Sequence, residues 1–154
     1  MLLPPASQER PSAAAAQAEP EHAASGPPLH GRVLLVEDQP IVACYMQDLL
    51  QAWGLAVSVE QDPLAAAARL ALPMEREPFE LLLTDQTMPG MTGLALAREA
   101  RRQRPGLPVL LYTGNAAEIA EDDLAQSGVA TLLRKPIDAF ALRRLLQEML
   151  ERTG

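Results

Sequence analysis

The chain has 154 residues, a length that suggests one domain with an appendage, and it is 48% hydrophobic but only 3% aromatic, so its core must be built mainly from Leu, Val and Ala. Its formal net charge of −7 argues against binding to nucleic acid or an anionic membrane, since both need a positive face. The single Cys44 cannot form an internal disulfide and is expected as a half-buried helix residue; with no apolar run long enough to span a bilayer, this fits a cytoplasmic protein.

Residues 1–30 hold six of the fourteen prolines, eight alanines and few large apolar residues. Such a segment cannot bury enough surface to offset its ordering entropy, so it is expected as a disordered tail, with the folded domain over 31–154. Its first residues, "MLLPPASQERPS", lack the basic region of a signal peptide. Both histidines, His22 and His30, fall in the tail, which leaves none in the folded part for general-base or zinc chemistry.

From Arg32 onward short apolar runs alternate with amphipathic ones. "VLLV" (33–36) predicts a first strand. Pro40 fits the first turn of a helix, Ile41, Tyr45, Leu49 and Trp53 give it a four-residue stripe, and Gly54 ends it. "LAVSV" (55–59) is a second strand, and Asp62-Pro63 caps a helix over 64–72. "LLLT" (81–84) is a third strand, followed by a helix over 93–103. That helix carries the basic run Arg98, Arg101, Arg102 and Arg104, read as a solvated face. "VLLY" (109–112) precedes a helix over 116–127, closed by Gly128. "VATLL" (129–133) precedes a helix capped by Asp138, with Leu142, Leu145, Leu146 and Met149 on one face. Strands apolar on both alternations, each followed by a helix, imply an α/β fold: a parallel sheet with right-handed crossovers and helices on both faces.

In such a sheet the functional crevice lies beyond the carboxyl ends of the strands. Glu37 and Asp38 follow the first strand, Asp85 the third, Thr113 the fourth, and Lys135, the sole lysine beside twelve arginines, the fifth. Three carboxylates brought together repel unless a cation binds, and oxygen ligands without His or thiolate suit a hard ion, Mg²⁺ or Mn²⁺. Asp85 could then stay ionised as a nucleophile, and the Lys135 ammonium could neutralise an incoming phosphoryl group. Thr113 offers a hydroxyl to a further phosphoryl oxygen.

In this order, "VLLVEDQP", "LLLTDQTMPGMTG", "LPVLLYTG" and "LLRKP" resemble the receiver domain of two-component response regulators, over residues 31–154. The resemblance implies a flavodoxin-like, doubly wound five-stranded sheet of order 2-1-3-4-5 with five helices. It implies phosphoryl transfer from a histidine kinase or a histidine phosphotransfer protein to Asp85. Glu37 and Asp38 match the metal-binding acids, with the backbone carbonyl of Thr87 as a further ligand. Thr113 matches the switch hydroxyl and Lys135 the phosphate-pairing lysine, with a cis bond expected at Lys135–Pro136. The chain departs from the commonest pattern at Leu132, where Tyr or Phe often stands, at Gly114, where Ala is frequent, and at Thr92, where Asp is frequent. Without the aromatic, a signal must travel through the loop after Thr113 or through Tyr112.

The expected function is a receiver with no output domain, since only "ERTG" follows the last helix. It would catalyse nothing beyond its own phosphorylation and dephosphorylation, would act on an unknown downstream protein through helix four, strand five and helix five, and would be a monomer or a phosphorylation-dependent dimer. Two alternatives share these residues: a pseudo-receiver that binds partners without phosphorylation, and a haloacid-dehalogenase-type Mg²⁺ phosphatase. The latter usually has a second Asp where this chain has Thr87.

Overall fold

The computed structural model describes residues 26–153. Five parallel strands, β1 (Arg32–Val36), β2 (Ala56–Glu60), β3 (Leu81–Asp85), β4 (Val109–Thr113) and β5 (Thr131–Arg134), form one sheet in the order β2-β1-β3-β4-β5. The helices are α1 (Pro40–Ala52), α2 (Pro63–Leu70), α3 (Gly93–Gln103), α4 (Glu121–Ser127) and α5 (Ala139–Thr153), with a short 3₁₀ turn at Ala116–Glu118. This is the flavodoxin-like architecture expected from the sequence. Among the described residues no helix is long and apolar enough to cross a membrane.

The two-residue period of each strand sends its side chains to alternate faces. Val33, Leu35, Leu81, Leu83, Leu110 and Tyr112 pack beneath α1 and α5. Leu34, Val36, Leu82 and Val109 pack beneath α2 and α3, with Phe79. Burial on both faces explains why β1, β3 and β4 read as continuous apolar runs.

Local chemistry sets the helix ends. The Asp62 side chain accepts from Leu64 N–H and Thr92 from Ala95 N–H, so both serve as N-caps. Asp138 accepts from the N–H groups of Phe140 and Ala141. The predicted helix over 116–127 is instead split, because Ile119 and Ala120 are extended. Glu121, Asp122 and Asp123 then occupy a first turn, where the helix dipole favours carboxylates.

The α1 stripe also differs from expectation. Ile41 is 85% exposed, and the buried residues are Ala43, Met46, Leu49, Leu50 and Trp53. Positions four apart drift about 40° per step on a helix of about 3.6 residues per turn. Ile41 therefore lies about 120° around from Trp53. The same geometry turns Cys44 away from the sheet, and it is exposed rather than half-buried.

The expected tail over 1–30 falls mostly on residues 1–25, which lie outside the described residues. Residues 26–30 are seated on the domain. Leu29 is buried beside Trp53 and α5, its N–H donates to Trp53 O at 2.7 Å, and Arg143 donates to Pro27 O. Contacts with the domain thus reach back to Pro27 and Leu29 instead of beginning at residue 31.

The arginine run is divided as well. Arg98 pairs with Asp123 at 3.7 Å and Arg102 with Glu99 at 3.3 Å, both in solvent, but Arg104 is buried. Its guanidinium donates to the carbonyls of Leu70 (3.0 Å), Leu72 (2.9 Å) and Glu77, tying the end of α2 and the following loop to α3. Arg104→Leu would orphan those carbonyls and should cost roughly 2–4 kcal/mol, read as a lower urea midpoint at unchanged m-value.

Candidate functional site

Four neighbouring strands, β1, β3, β4 and β5, end along one edge of the sheet. The register pairs Val36 with Thr84, Asp85 with Tyr112 and Thr113 with Arg134, so the residues that follow converge. Glu37, Asp38 and Asp85 each bring a carboxylate oxygen within 4.8 Å of the others. Glu37 and Asp85 are buried, and Asp38 is half-buried. Lys135, carried past β5 on a cis Lys135–Pro136 bond, places Nζ 3.2 Å from Asp85 Oδ1.

Burial holds the Glu37 carboxyl above the ordinary carboxylate range, and the charge of Asp85 adds to this. Hydrogen bonds from the Tyr112 hydroxyl and the Gln39 N–H pull it back down in part. Tyr112 is itself pushed far above its usual value by burial and by its bond to Glu37. The Lys135 ammonium also draws Glu37 downward, so three carboxylates share one nearby positive charge, and burial still leaves Glu37 raised.

The donor set fits a hard divalent cation. Asp38 Oδ1 is buried without a hydrogen-bond partner, and every candidate ligand atom is oxygen. Beside the cluster opens a cleft of about 270 Å³, lined by Gln86, Thr87, Met88, Thr92, Thr113 and Asn115 among others. Thr113 Oγ1 accepts from Asn115 N–H at 3.1 Å, and its own proton can be donated into the cleft. Thr87, two residues past Asp85, is exposed on the cleft wall.

Each sequence-predicted residue is thus at this edge, and the departures from the commonest pattern are physically mild. Thr92 caps α3 as an Asp would. At Gly114 a Cβ would find its nearest neighbour, Lys135 Cδ, at 3.8 Å, so Ala would fit. Leu132 is half-buried in β5 opposite Leu111. Two contacts were not foreseen. The Gln86 side chain accepts from Leu94 N–H at 2.9 Å, which docks α3 onto the end of β3, and Tyr112 O–H donates to Glu37 at 2.5 Å. A lone phenol in the run "VLLYT" was the only sequence signal for the second.

Residues 33–147 match the family model for the response regulator receiver domain. Response regulator receiver protein CpdR of Brucella abortus is 36% identical over 118 residues, 77% of this chain and 92% of that protein. Chemotaxis protein CheY of Pseudomonas aeruginosa is 33% identical over 126 residues, 80% of this chain and 98% of that protein. Sensor protein GacS of Pseudomonas syringae is 36% identical over 137 residues, but these span only 14% of that larger protein. Among solved structures, the receiver domain of sensor histidine kinase PA1611 from Pseudomonas aeruginosa matches with a TM-score of 0.69 and 28% identity, over 80% of this chain and 99% of that one. It carries a magnesium ion in its active site cleft.

Proposed function

The chain belongs to the response regulator receiver domain family, and on that premise we propose that Asp85 accepts a phosphoryl group from the histidine of a kinase or phosphotransfer protein. The observation that carries this is the Lys135 ammonium 3.2 Å from a buried carboxylate, inside an acidic cluster at four strand ends.

In the transfer a carboxylate oxygen of Asp85 forms a bond to phosphorus, the P–N bond breaks, and its electron pair returns to the imidazole. Lys135 meets one developing phosphoryl charge, and the Thr113 hydroxyl donates to another oxygen. Glu37, Asp38, Asp85 and the Thr87 carbonyl are the groups that would hold Mg²⁺ or Mn²⁺, which supplies charge neutralisation when bound. Burial of Asp85 keeps bulk water from the acyl phosphate. The modified edge then biases the face formed by α4, β5 and α5 toward a downstream protein, as a monomer or a phosphorylation-dependent dimer.

Incubation with acetyl phosphate and Mg²⁺ tests the reading, and should add one base-labile phosphoryl group by intact mass. No adduct on the folded chain would defeat it.

Lys135→Arg keeps the charge but replaces a compact ammonium with a planar fork. The variant should still be labelled, roughly tenfold more slowly, because the charge near Asp85 is kept but misplaced. It should also lose the phosphorylation-dependent change in hydrogen exchange around residues 114–120 and 135–140. A wild-type exchange response would show that any cation serves there.

A further inference from the structure

The proposed chemistry leaves Tyr112 unused. It is fully buried near the end of β4, among Leu110, Leu111 and Thr113. Its hydroxyl donates to Glu37 Oε1 at 2.5 Å, while Gln39 N–H donates to the other oxygen, Oε2, at 3.1 Å. One donor on each oxygen, from two different elements, fixes the plane of the Glu37 carboxylate. The same ring lies beneath Lys135, with Nζ 5.4 Å from the ring centre, in cation–π range. One side chain therefore touches both groups that flank Asp85. A leucine would keep the position apolar but do neither.

Resting on the reading of Asp85 as the phosphoacceptor, we propose that Tyr112 is a positioning residue with two separable parts: its hydroxyl aims Glu37 at the divalent cation, and its ring seats the Lys135 ammonium against Asp85. The two parts come from one residue because β4 lies between β3 and β5 in the sheet. The ring reaches toward β5 on one side, and the hydroxyl reaches past β3 to the end of β1 on the other.

The test titrates Mn²⁺ alone, by calorimetry, into the full chain and its variants, and separately times labelling by acetyl phosphate at saturating Mg²⁺. Tyr112→Phe should weaken Mn²⁺ binding about tenfold, the scale of losing a group that orients a metal ligand. Glu37→Gln should weaken it too, and adding Tyr112→Phe to Glu37→Gln should change it less than about twofold, since the hydroxyl acts through Glu37. Tyr112→Leu should match Tyr112→Phe in Mn²⁺ affinity but be labelled roughly fivefold more slowly than Tyr112→Phe, because only the leucine variant has lost the ring beneath Lys135. A purely structural tyrosine would lower the melting temperature and leave these differences absent. Mn²⁺ affinity of Tyr112→Phe within twofold of wild type, or additive effects with Glu37→Gln, would overturn the hydroxyl's role. Equal labelling of the two Tyr112 variants would overturn the ring's. If the wild type takes no label, the phosphoacceptor reading fails, while the Mn²⁺ titrations still decide the hydroxyl's role.

Discussion

Asp85→Asn should leave no detectable acyl-phosphate adduct after incubation with acetyl phosphate and Mg²⁺, a loss on the order of 10³-fold or more in labelling rate. The substitution is nearly isosteric, so the buried pocket at the end of β3 stays filled. It removes the charge that makes the oxygen a nucleophile and that faces Lys135 Nζ at 3.2 Å. Labelling that persisted undiminished would place the modification elsewhere and end the proposed mechanism.

The same variant makes a second, opposite prediction for stability. In a chelator the wild type holds Glu37, Asp38 and Asp85 together without a cation. Burial, with Asp85 adding, raises the Glu37 carboxyl above its unfolded value. A raised carboxyl binds its proton more tightly folded than unfolded, so it stabilises at low pH, and that contribution is lost as pH climbs past the carboxylate range. Asparagine at position 85 removes the repulsion. The melting temperature of Asp85→Asn should therefore exceed that of the wild type in chelator, by a margin that widens from about pH 4 to about pH 7. The lost pairing with Lys135 offsets this only weakly, because that ammonium is partly in solvent.

The strands and the site were legible because both rest on short stretches of chain. Four apolar residues in a row mark a strand buried on both faces, and the polar residue that follows must sit at its carboxyl end. That places Asp85, Thr113 and Lys135 without knowledge of any contact. The sheet order came with the family resemblance, since five similar runs do not say which lie side by side. What stayed hidden depends on partners far along the chain. Arg104 looks like the solvated arginines before it, and only the arrival of the Leu70–Glu77 carbonyls, some thirty residues back, makes it a buried clamp. Tyr112 and Glu37 are 75 positions apart and meet only because β3 separates their strands by a single step. Leu29 is one apolar residue after two prolines, with no period to announce that it packs. The α1 stripe differs for another reason: a strict four-residue spacing drifts around a helix that turns in about 3.6 residues.

Gly93→Ala should be among the most damaging single substitutions that leave the site's own side chains untouched, costing about 3 kcal/mol or more, roughly 10 °C in melting temperature. Gly93 opens α3 directly against the end of β3. Its N–H donates to Gln86 O at 2.9 Å, and Leu94 N–H donates to the Gln86 side chain. A Cβ at this position would lie 2.3 Å from the Asp85 carbonyl oxygen, 2.5 Å from Leu111 Cδ1 and 3.0 Å from Gln86 Cα. Two of those three atoms are backbone, so the clash cannot be relieved by a rotamer change. Either α3 lifts off, breaking its hydrogen bonds to Gln86, or the peptide after Asp85 tilts and carries the carboxylate away from Lys135. The second route ties the fold to the chemistry, so the folded fraction of Gly93→Ala should also be labelled by acetyl phosphate more slowly than wild type. Gly106→Ala is the matched control: no atom lies within 4 Å of a Cβ there, and that variant should sit within about 1 kcal/mol of wild type, on the stabilising side if the loop's φ and ψ suit alanine. Urea denaturation of the three proteins decides it. Equal midpoints for Gly93→Ala and Gly106→Ala would mean that α3 is not docked against the phosphoacceptor strand as tightly as the 2.3 Å approach requires.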